Sequence, residues 1–319
     1  MELGILDREG GLMWIVPSDF DTTIDPDDDA IAVMSGTFTG ATLTHTDLDD
    51  DHNQDVVITM PDEGDGGTVR VMYGPFSLDD TIELEVLPWP FVTGDDSGFA
   101  IQTAHGAVDI DDDGYSDVVF GSVSAGSNGG AGLVRGRPAD PAGLLMVVCD
   151  VDHVLGTTSG SRMGDAVAAL GDLDNDGCDE VAVGASADDA GHSNQGITRV
   201  LWGDGPGCSG PAMTAVGPLV SNTRSGDALA GGEDVDGDGR PDLVIGAYDW
   251  DVGGDIGAVW LASGSWLGGL GRQAASGWVL PSDAATVVHP LTDQPRIEGA
   301  VVDGELGRGV ALVPDPNSG

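Results

Sequence analysis

Apolar residues along this chain fall in short runs, each set directly behind an acidic stretch. Residues 56–58 (Val-Val-Ile), 118–120 (Val-Val-Phe), 181–183 (Val-Ala-Val) and 243–245 (Leu-Val-Ile) each follow a cluster of aspartates. Runs this short, rich in β-branched residues and bounded by Gly, Asp and Asn, predict strands and not helices. The same signals recur around every run. Glycine with small apolar residues stands upstream, at Gly40, Gly98, Gly164 and Gly226, and predicts a strand entering the acidic stretch. A third strand begins after a glycine turn at Gly67, Gly132, Gly196 and Gly257. A variable segment beyond it, such as 82–87 or 144–149, has room for a fourth strand.

The acidic stretches share one internal spacing. A hard cation such as Ca²⁺ takes oxygens at loop positions 1, 3, 5 and 9 together with the backbone carbonyl of position 7. The first stretch offers Asp47, Asp49, Asp51, Asn53 and Asp55, and the second Asp109, Asp111, Asp113, Tyr115 and Asp117. In the third these positions are Asp172, Asp174, Asp176, Cys178 and Glu180, and in the fourth Asp234, Asp236, Asp238, Arg240 and Asp242. Position 6, where the chain must turn sharply, is Gly114, Gly177 and Gly239. His52 stands there in the first loop and sets it apart. An EF-hand needs a bidentate Glu at position 12. Here that position holds Ile58, Phe120, Val183 or Ile245, which excludes it. Aspartate also forms turns without metal. Four carboxylates packed into each of four turns would, however, repel strongly without a cation.

First ligands stand 62, 63 and 62 residues apart, which means one structural unit per repeat. Four antiparallel strands in a unit of this length suit a propeller blade better than a solenoid turn. The expected fold is all-β: a β-propeller of four-stranded antiparallel blades, about four full blades with partial blades at both ends. Residues 1–28 would end a preceding blade, with residues 11–16 as its third strand. Blades would follow at 29–91 (loop 47–55), 92–157 (loop 109–117), 158–220 (loop 172–180) and 221–300 (loop 234–242, with an insertion within 263–305). Residues 301–319 would give the first strand of a next blade, with Asp315 and Asn317 like positions 1 and 3 of a fifth loop.

Charge narrows the function. The chain has 55 acidic residues against 11 basic ones, all arginine, for a formal net charge of -44. Such self-repulsion favours bound counter-charge. It has the wrong sign for nucleic acid or an anionic membrane surface. No apolar stretch approaches the ~18 residues of a membrane span, so membrane insertion is not expected. The N-terminus shows neither the basic nor the apolar part of a signal peptide, so the chain reads as cytosolic or as a piece cut from a longer protein. Carboxylate loops of extracellular modules bind Ca²⁺ with dissociation constants of about 10⁻⁴–10⁻³ M. Sites of that affinity stay empty at cytosolic calcium, which points outside the cell.

Of Cys149, Cys178 and Cys208, the last two fall at one end of an up-and-down blade, where they could meet; a Cys178–Cys208 disulfide is one reading and three buried free thiols the other. No Gly-x-Ser-x-Gly or His-Glu-x-x-His is present and the six histidines form no spaced pair, so no enzyme is expected. Turns at the end opposite the acidic loops carry His192, Tyr248 and Trp250, residue types suited to ligand binding. The alternative is a solvated loop with the tryptophan packed locally.

These residues resemble the FG-GAP repeat β-propeller of integrin α-subunits and of many bacterial surface and secreted proteins. The resemblance rests on 97–100 (Ser-Gly-Phe-Ala), 163–166 (Met-Gly-Asp-Ala), the four acidic loops, 183–186 (Val-Gly-Ala-Ser) and 245–248 (Ile-Gly-Ala-Tyr). The family's Phe-Gly pair is inverted or absent, its Gly-Ala-Pro proline is replaced, and the first copy ends Ile58-Thr59-Met60-Pro61. The resemblance implies Ca²⁺ in each loop on one face, up to four structural ions, and recognition of a protein or carbohydrate ligand from the other. The expected function is an extracellular or cell-surface calcium-binding scaffold for adhesion or ligand recognition. The alternative is a non-catalytic accessory propeller of a secreted hydrolase or lyase.

Overall fold

The computed structural model describes residues 2–7, 12–17, 32–35, 41–61, 66–74, 80–83, 92–93, 101–136, 146–147, 152–155, 158–208, 212–250, 256–274, 287–300 and 304–312. Their strands form five sheets, four of them built from antiparallel strands in chain order around one acidic loop. Thr42–Thr46, Asp55–Met60, Thr68–Met72 and Val92–Thr93 make the first of these four. Thr103–Val108, Asp117–Ser122, Gly130–Val134 and Asp152–Leu155 make the second. Met163–Gly171, Glu180–Ala185, Ile197–Trp202 and Ala212–Gly217 make the third. Ser225–Gly231, Leu243–Ala247, Ala258–Ala262 and Arg296–Glu298 make the fourth. The arrangement is all-β and propeller-like, and the only α-helix among the described residues is Gly264–Gly268.

Sheet stacking explains the unbroken apolar runs. Every residue of Asp55–Met60, Asp117–Ser122, Glu180–Ala185 and Leu243–Ala247 is buried. A strand's side chains alternate between its two faces, so these strands serve two cores at once. Val181, Val183 and Ala185 join a cluster with Val108, Val119 and Leu133 of the preceding sheet. Ala182, between them, joins Trp202, Ile245 and Trp260 of the following interface. Val118 and Phe120 likewise face Val57 and Val69, while Val119 faces forward.

The outer edges differ from expectation. In the segments read as fourth strands at 82–87 and 144–149, the described residues pair instead with the preceding sheet. Asp80–Glu83 lies parallel to Ala32–Ser35, and Met146–Val147 parallel to Val92–Thr93. Val288–Pro290, within the insertion, does the same to Ala212–Gly217. An outer strand exposes a row of unpaired N–H and C=O groups, and the next unit's connection covers it. At the N-terminus Leu12–Pro17 pairs with Glu2–Asp7 on one side and Ala32–Ser35 on the other. Ala32–Ser35 therefore belongs to the N-terminal sheet and not to the unit placed at 29–91. Near the C-terminus, residues 304–312 hold a single bridge, Leu306 to Gly257, and no strand. Asp315 and Asn317 lie outside the described residues.

Consecutive sheets meet through a recurring glycine contact. A Cβ on Gly121 would run into the carbonyl of Gly164, one on Gly184 into that of Gly226, and one on Gly246 into that of Gly307. Second strand thus touches next first strand in two of these contacts, and the bridged segment at Gly307 in the third, with no side chain between. Gly184→Ala should therefore lower unfolding stability by about 2 kcal/mol or more, within the range for an overpacked core. Urea denaturation measures it, and an unchanged midpoint contradicts this packing.

Candidate metal centre

All four loops take the same backbone path. Positions 4 and 6 are left-handed throughout: Asp50 and His52 (φ 56 and 68), Asp112 and Gly114 (55 and 89), Asn175 and Gly177 (61 and 97), Gly237 and Gly239 (79 and 89). Position 4 is Asp, Asn or Gly, the types that visit this region most readily. His52 adopts the glycine conformation, so the first loop keeps the common shape.

Side-chain oxygens then divide into three roles. Position 1 closes the turn. Asp47, Asp109, Asp172 and Asp234 each accept the N–H of positions 5 and 6, at 2.9–3.2 Å in Asp47 and Asp109 and 2.9–3.1 Å in Asp172 and Asp234. Position 5 accepts the N–H of position 7, from Asp51 to Asp238.

Position 9 is a pin. Asp55, Asp117, Glu180 and Asp242 are buried to 0–1% exposure. Each accepts the position-2 N–H with one oxygen, from Leu48 (2.8 Å), Ile110 (3.0 Å), Leu173 (2.7 Å) and Val235 (2.8 Å). The other oxygen accepts the N–H of a glycine just past the third strand: Gly74 (2.9 Å), Gly136 (2.6 Å), Gly203 (3.3 Å) and Gly264 (2.8 Å). A Cβ on Gly74, Gly136 or Gly264 would meet the position-8 carbonyl, and one on Gly203 the Cβ of Cys178. Sequence reasoning passed over these four glycines, although their fixed place after each third strand was a readable signal.

Position 3 accepts the position-5 N–H in the third and fourth loops, Asp174 at 3.2 Å and Asp236 at 3.1 Å, and is left over in the first two. The Oδ1 atoms of Asp49 and Asp111 are buried with no hydrogen-bond partner. A buried carboxylate oxygen without a donor is costly, and a cation is the partner that fits. One oxygen each from Asp47, Asp49 and Asp55 lie within 4.8 Å of one another, as do those of Asp109, Asp111 and Asp117, and of Asp234, Asp236, Asp238 and Asp242. An all-oxygen set of this size suits Ca²⁺. The other oxygen of the position-3 group is held by arginine in two loops: Arg135 to Asp111 and Arg272 to Asp174, both at 2.5 Å. Neither arginine was singled out in the sequence.

Burial sets the electrostatics of the metal-free loops. It raises the Asp55 carboxyl to about 6, Asp117 to about 7 and Glu180 to about 8. Asp242, Asp49 and Asp109 are raised by the same cause. Asp238 is held down at about 2 by hydrogen bonds from Ser265 and Ser263.

The remaining candidates fall elsewhere. Cys178 and Cys208 form a disulfide, with Cα atoms 5.7 Å apart, beside Asp176. Cys149 is outside the described residues. At the opposite end His192 is exposed and Tyr248 half-buried. Of the two readings of Trp250 the structure takes the packed one: it is 8% exposed and stands edge-on to Trp260 at 4.9 Å. Asp188 in the same turn as His192 is buried against Arg199 at 3.4 Å.

Residues 163–201 and 225–261 match the model of the FG-GAP repeat. This chain carries FG-GAP repeats. Its relatives include integrin alpha pat-2 of Caenorhabditis elegans, 32% identical over 171 residues (46% of this chain, 14% of that protein). Human integrin alpha-IIb is 39% identical over 94 residues (29% and 9%), and integrin alpha-PS2 of Drosophila melanogaster 27% identical over 240 residues (70% and 16%). The chain thus covers at most 16% of the length of these relatives. The FG-GAP matches bracket the third and fourth acidic loops. The first two loops share their backbone path and their pinned position 9.

Burial of position 9 gives the metal-free chain a pH dependence. Unfolded carboxylates ionise near pH 4, and the buried ones only at about 6 to 8. The folded state binds more protons across that window, so its stability falls as pH rises. In chelator the melting temperature should drop steadily between pH 5 and pH 8. A flat or rising profile there contradicts the burial of these groups.

Proposed function

We propose that this chain is an extracellular, calcium-stabilised FG-GAP propeller segment that serves adhesion or ligand recognition without catalysis. The observation that carries it is the partnerless position-3 oxygen of Asp49 and Asp111, aimed into loops whose other carboxylates are held in place by backbone donors. Asp47, Asp49, Asp51, Asp55 and their counterparts in the other three loops would hold the ions, with the carbonyls of Asn53, Tyr115, Cys178 and Arg240. The ions' contribution is structural: they neutralise each loop and lock the turn between first and second strands. Blades are assigned as one per acidic loop, with the first starting after Ser35.

The face opposite the loops is the proposed recognition surface. Arg162, Arg224 and Glu305 are all left-handed there (φ 56, 53 and 48), two residues before Gly164, Gly226 and Gly307. Strain at such residues clusters at functional sites. Arg162 pairs with Asp165 at 2.6 Å and Arg308 with Glu305 at 2.9 Å, the same pair with charges exchanged. Arg308 also lies 4.6 Å over the Tyr248 ring, and Arg224 is 3.6 Å from Asp249. A polar, mixed-charge face with one aromatic suits a protein or carbohydrate ligand. The integrin α relatives support the extracellular setting.

Ligand linkage tests the metal role. Saturation at 100 times the dissociation constant stabilises by about 2.7 kcal/mol per site. Melting in excess Ca²⁺ should occur well above melting in chelator at neutral pH, and coincident midpoints would overturn the proposal.

A further inference from the structure

The loop at 109–117 is enclosed by residues of the next unit. Asp179, position 8 of the following loop, donates its N–H to the Asp109 carbonyl and accepts the Asp109 N–H on Oδ2, both at 2.9 Å. The segment 203–208 lies along positions 2 and 3. Asp204 donates its N–H to the Ile110 carbonyl at 3.1 Å, and Gly205 packs so closely on the Asp111 carbonyl that no Cβ would fit. Its far end is fixed by the disulfide from Cys208 to Cys178.

That segment also reaches the metal-facing side chain. Both carboxylate oxygens of Asp204 accept from Nη2 of Arg135, at 2.8 and 3.0 Å. Nη1 of Arg135 donates to Oδ2 of Asp111 at 2.5 Å, and Oδ1 of Asp111 is the buried oxygen with no partner. The three groups are partly shielded, with side-chain exposures of 18%, 30% and 19% for Asp111, Arg135 and Asp204. The next boundary repeats the arrangement with other residues. Arg272, from the unit after, holds Oδ2 of Asp174 at 2.5 Å while stacked 3.5 Å over Trp202.

We infer that Asp204, acting through Arg135, is a positioning residue for the cation site at 109–117, and that the Cys178–Cys208 disulfide holds it there. The inference rests on the calcium reading of that loop. Asp204 does two things in the same direction. It fixes the rotamer of Asp111 so that Oδ1 points into the loop, and it neutralises a guanidinium that would otherwise repel the ion. Partners of this kind change metal affinity by about 10- to 100-fold when removed. The loop's affinity is therefore set across a unit boundary.

Terbium(III) in place of Ca²⁺ provides a site-resolved test. Tyr115 is position 7 of this loop and ligates through its carbonyl, so luminescence lost on Tyr115→Phe reports the loop. In the full chain, Asp204→Asn should weaken the Tyr115-dependent binding about tenfold and leave the Tyr115-independent titration in place. Asp204→Glu should restore part of it. Cys208→Ser should weaken the same signal although its sulfur partner belongs to the other loop. Unchanged Tyr115-dependent affinity in Asp204→Asn, or an equal fall in both signals, would overturn the positioning role. Absence of terbium luminescence from the unsubstituted chain would overturn the calcium reading and this inference with it.

Discussion

A buried carboxylate gripped by two backbone N–H groups is the contact on which the rest of this structure depends. In each unit it joins three points far apart in sequence: the start of the acidic loop, the start of the second strand and the end of the third. Glu180 does this for Leu173 and Gly203, and Asp117 for Ile110 and Gly136. Without it the loop would be a string of mutually repelling aspartates with no fixed relation to the sheet. Its burial is unfavourable for a charged group, and two donors offset only part of that cost. In the calcium proposal a nearby cation would supply the remainder, which makes metal and fold mutually dependent.

The pin also aligns the units with one another. It fixes where the second strand begins, hence which residues face backward and which forward. Val181 and Val183 then meet the preceding sheet while Ala182 meets the following one. Small side chains and bare glycine at the contact of Gly184 with Gly226 let the sheets approach closely. Charge is distributed to match. Few arginines serve many carboxylates, and those near the loops sit at unit boundaries, where Arg135 and Arg272 each bind a position-3 aspartate.

Much of this was legible in the sequence because it is periodic. Strand runs, acidic loops and the interval between Asp47, Asp109, Asp172 and Asp234 all repeat, and a repeated signal outweighs local noise. The failures are at features that do not repeat by residue type. Segments 82–87 and 144–149 carry strand-like composition but no partner information, and the pairing of their described residues with the preceding sheet depends on which edge was open. Trp250 was open to two readings because its turn is polar, and Trp260, ten residues on, draws it inward. His52 looked disruptive, yet the backbone bonds to Asp47 hold it in the glycine conformation. The glycines that receive the pin repeat faithfully, but their meaning required the carboxylate's position in space.

The central claim is that the loops are built around a cation, with position 3 of the first two supplying an oxygen that the protein itself leaves without a donor. Diffraction from crystals grown in Ca²⁺, with anomalous difference maps, addresses it most directly. The account predicts a peak in each of the four loops, about 2.3–2.6 Å from the position-3 oxygen, including Oδ1 of Asp49 and of Asp111. Loops that keep this backbone path with no peak, and with those two oxygens bonded to water or arginine instead, would contradict it.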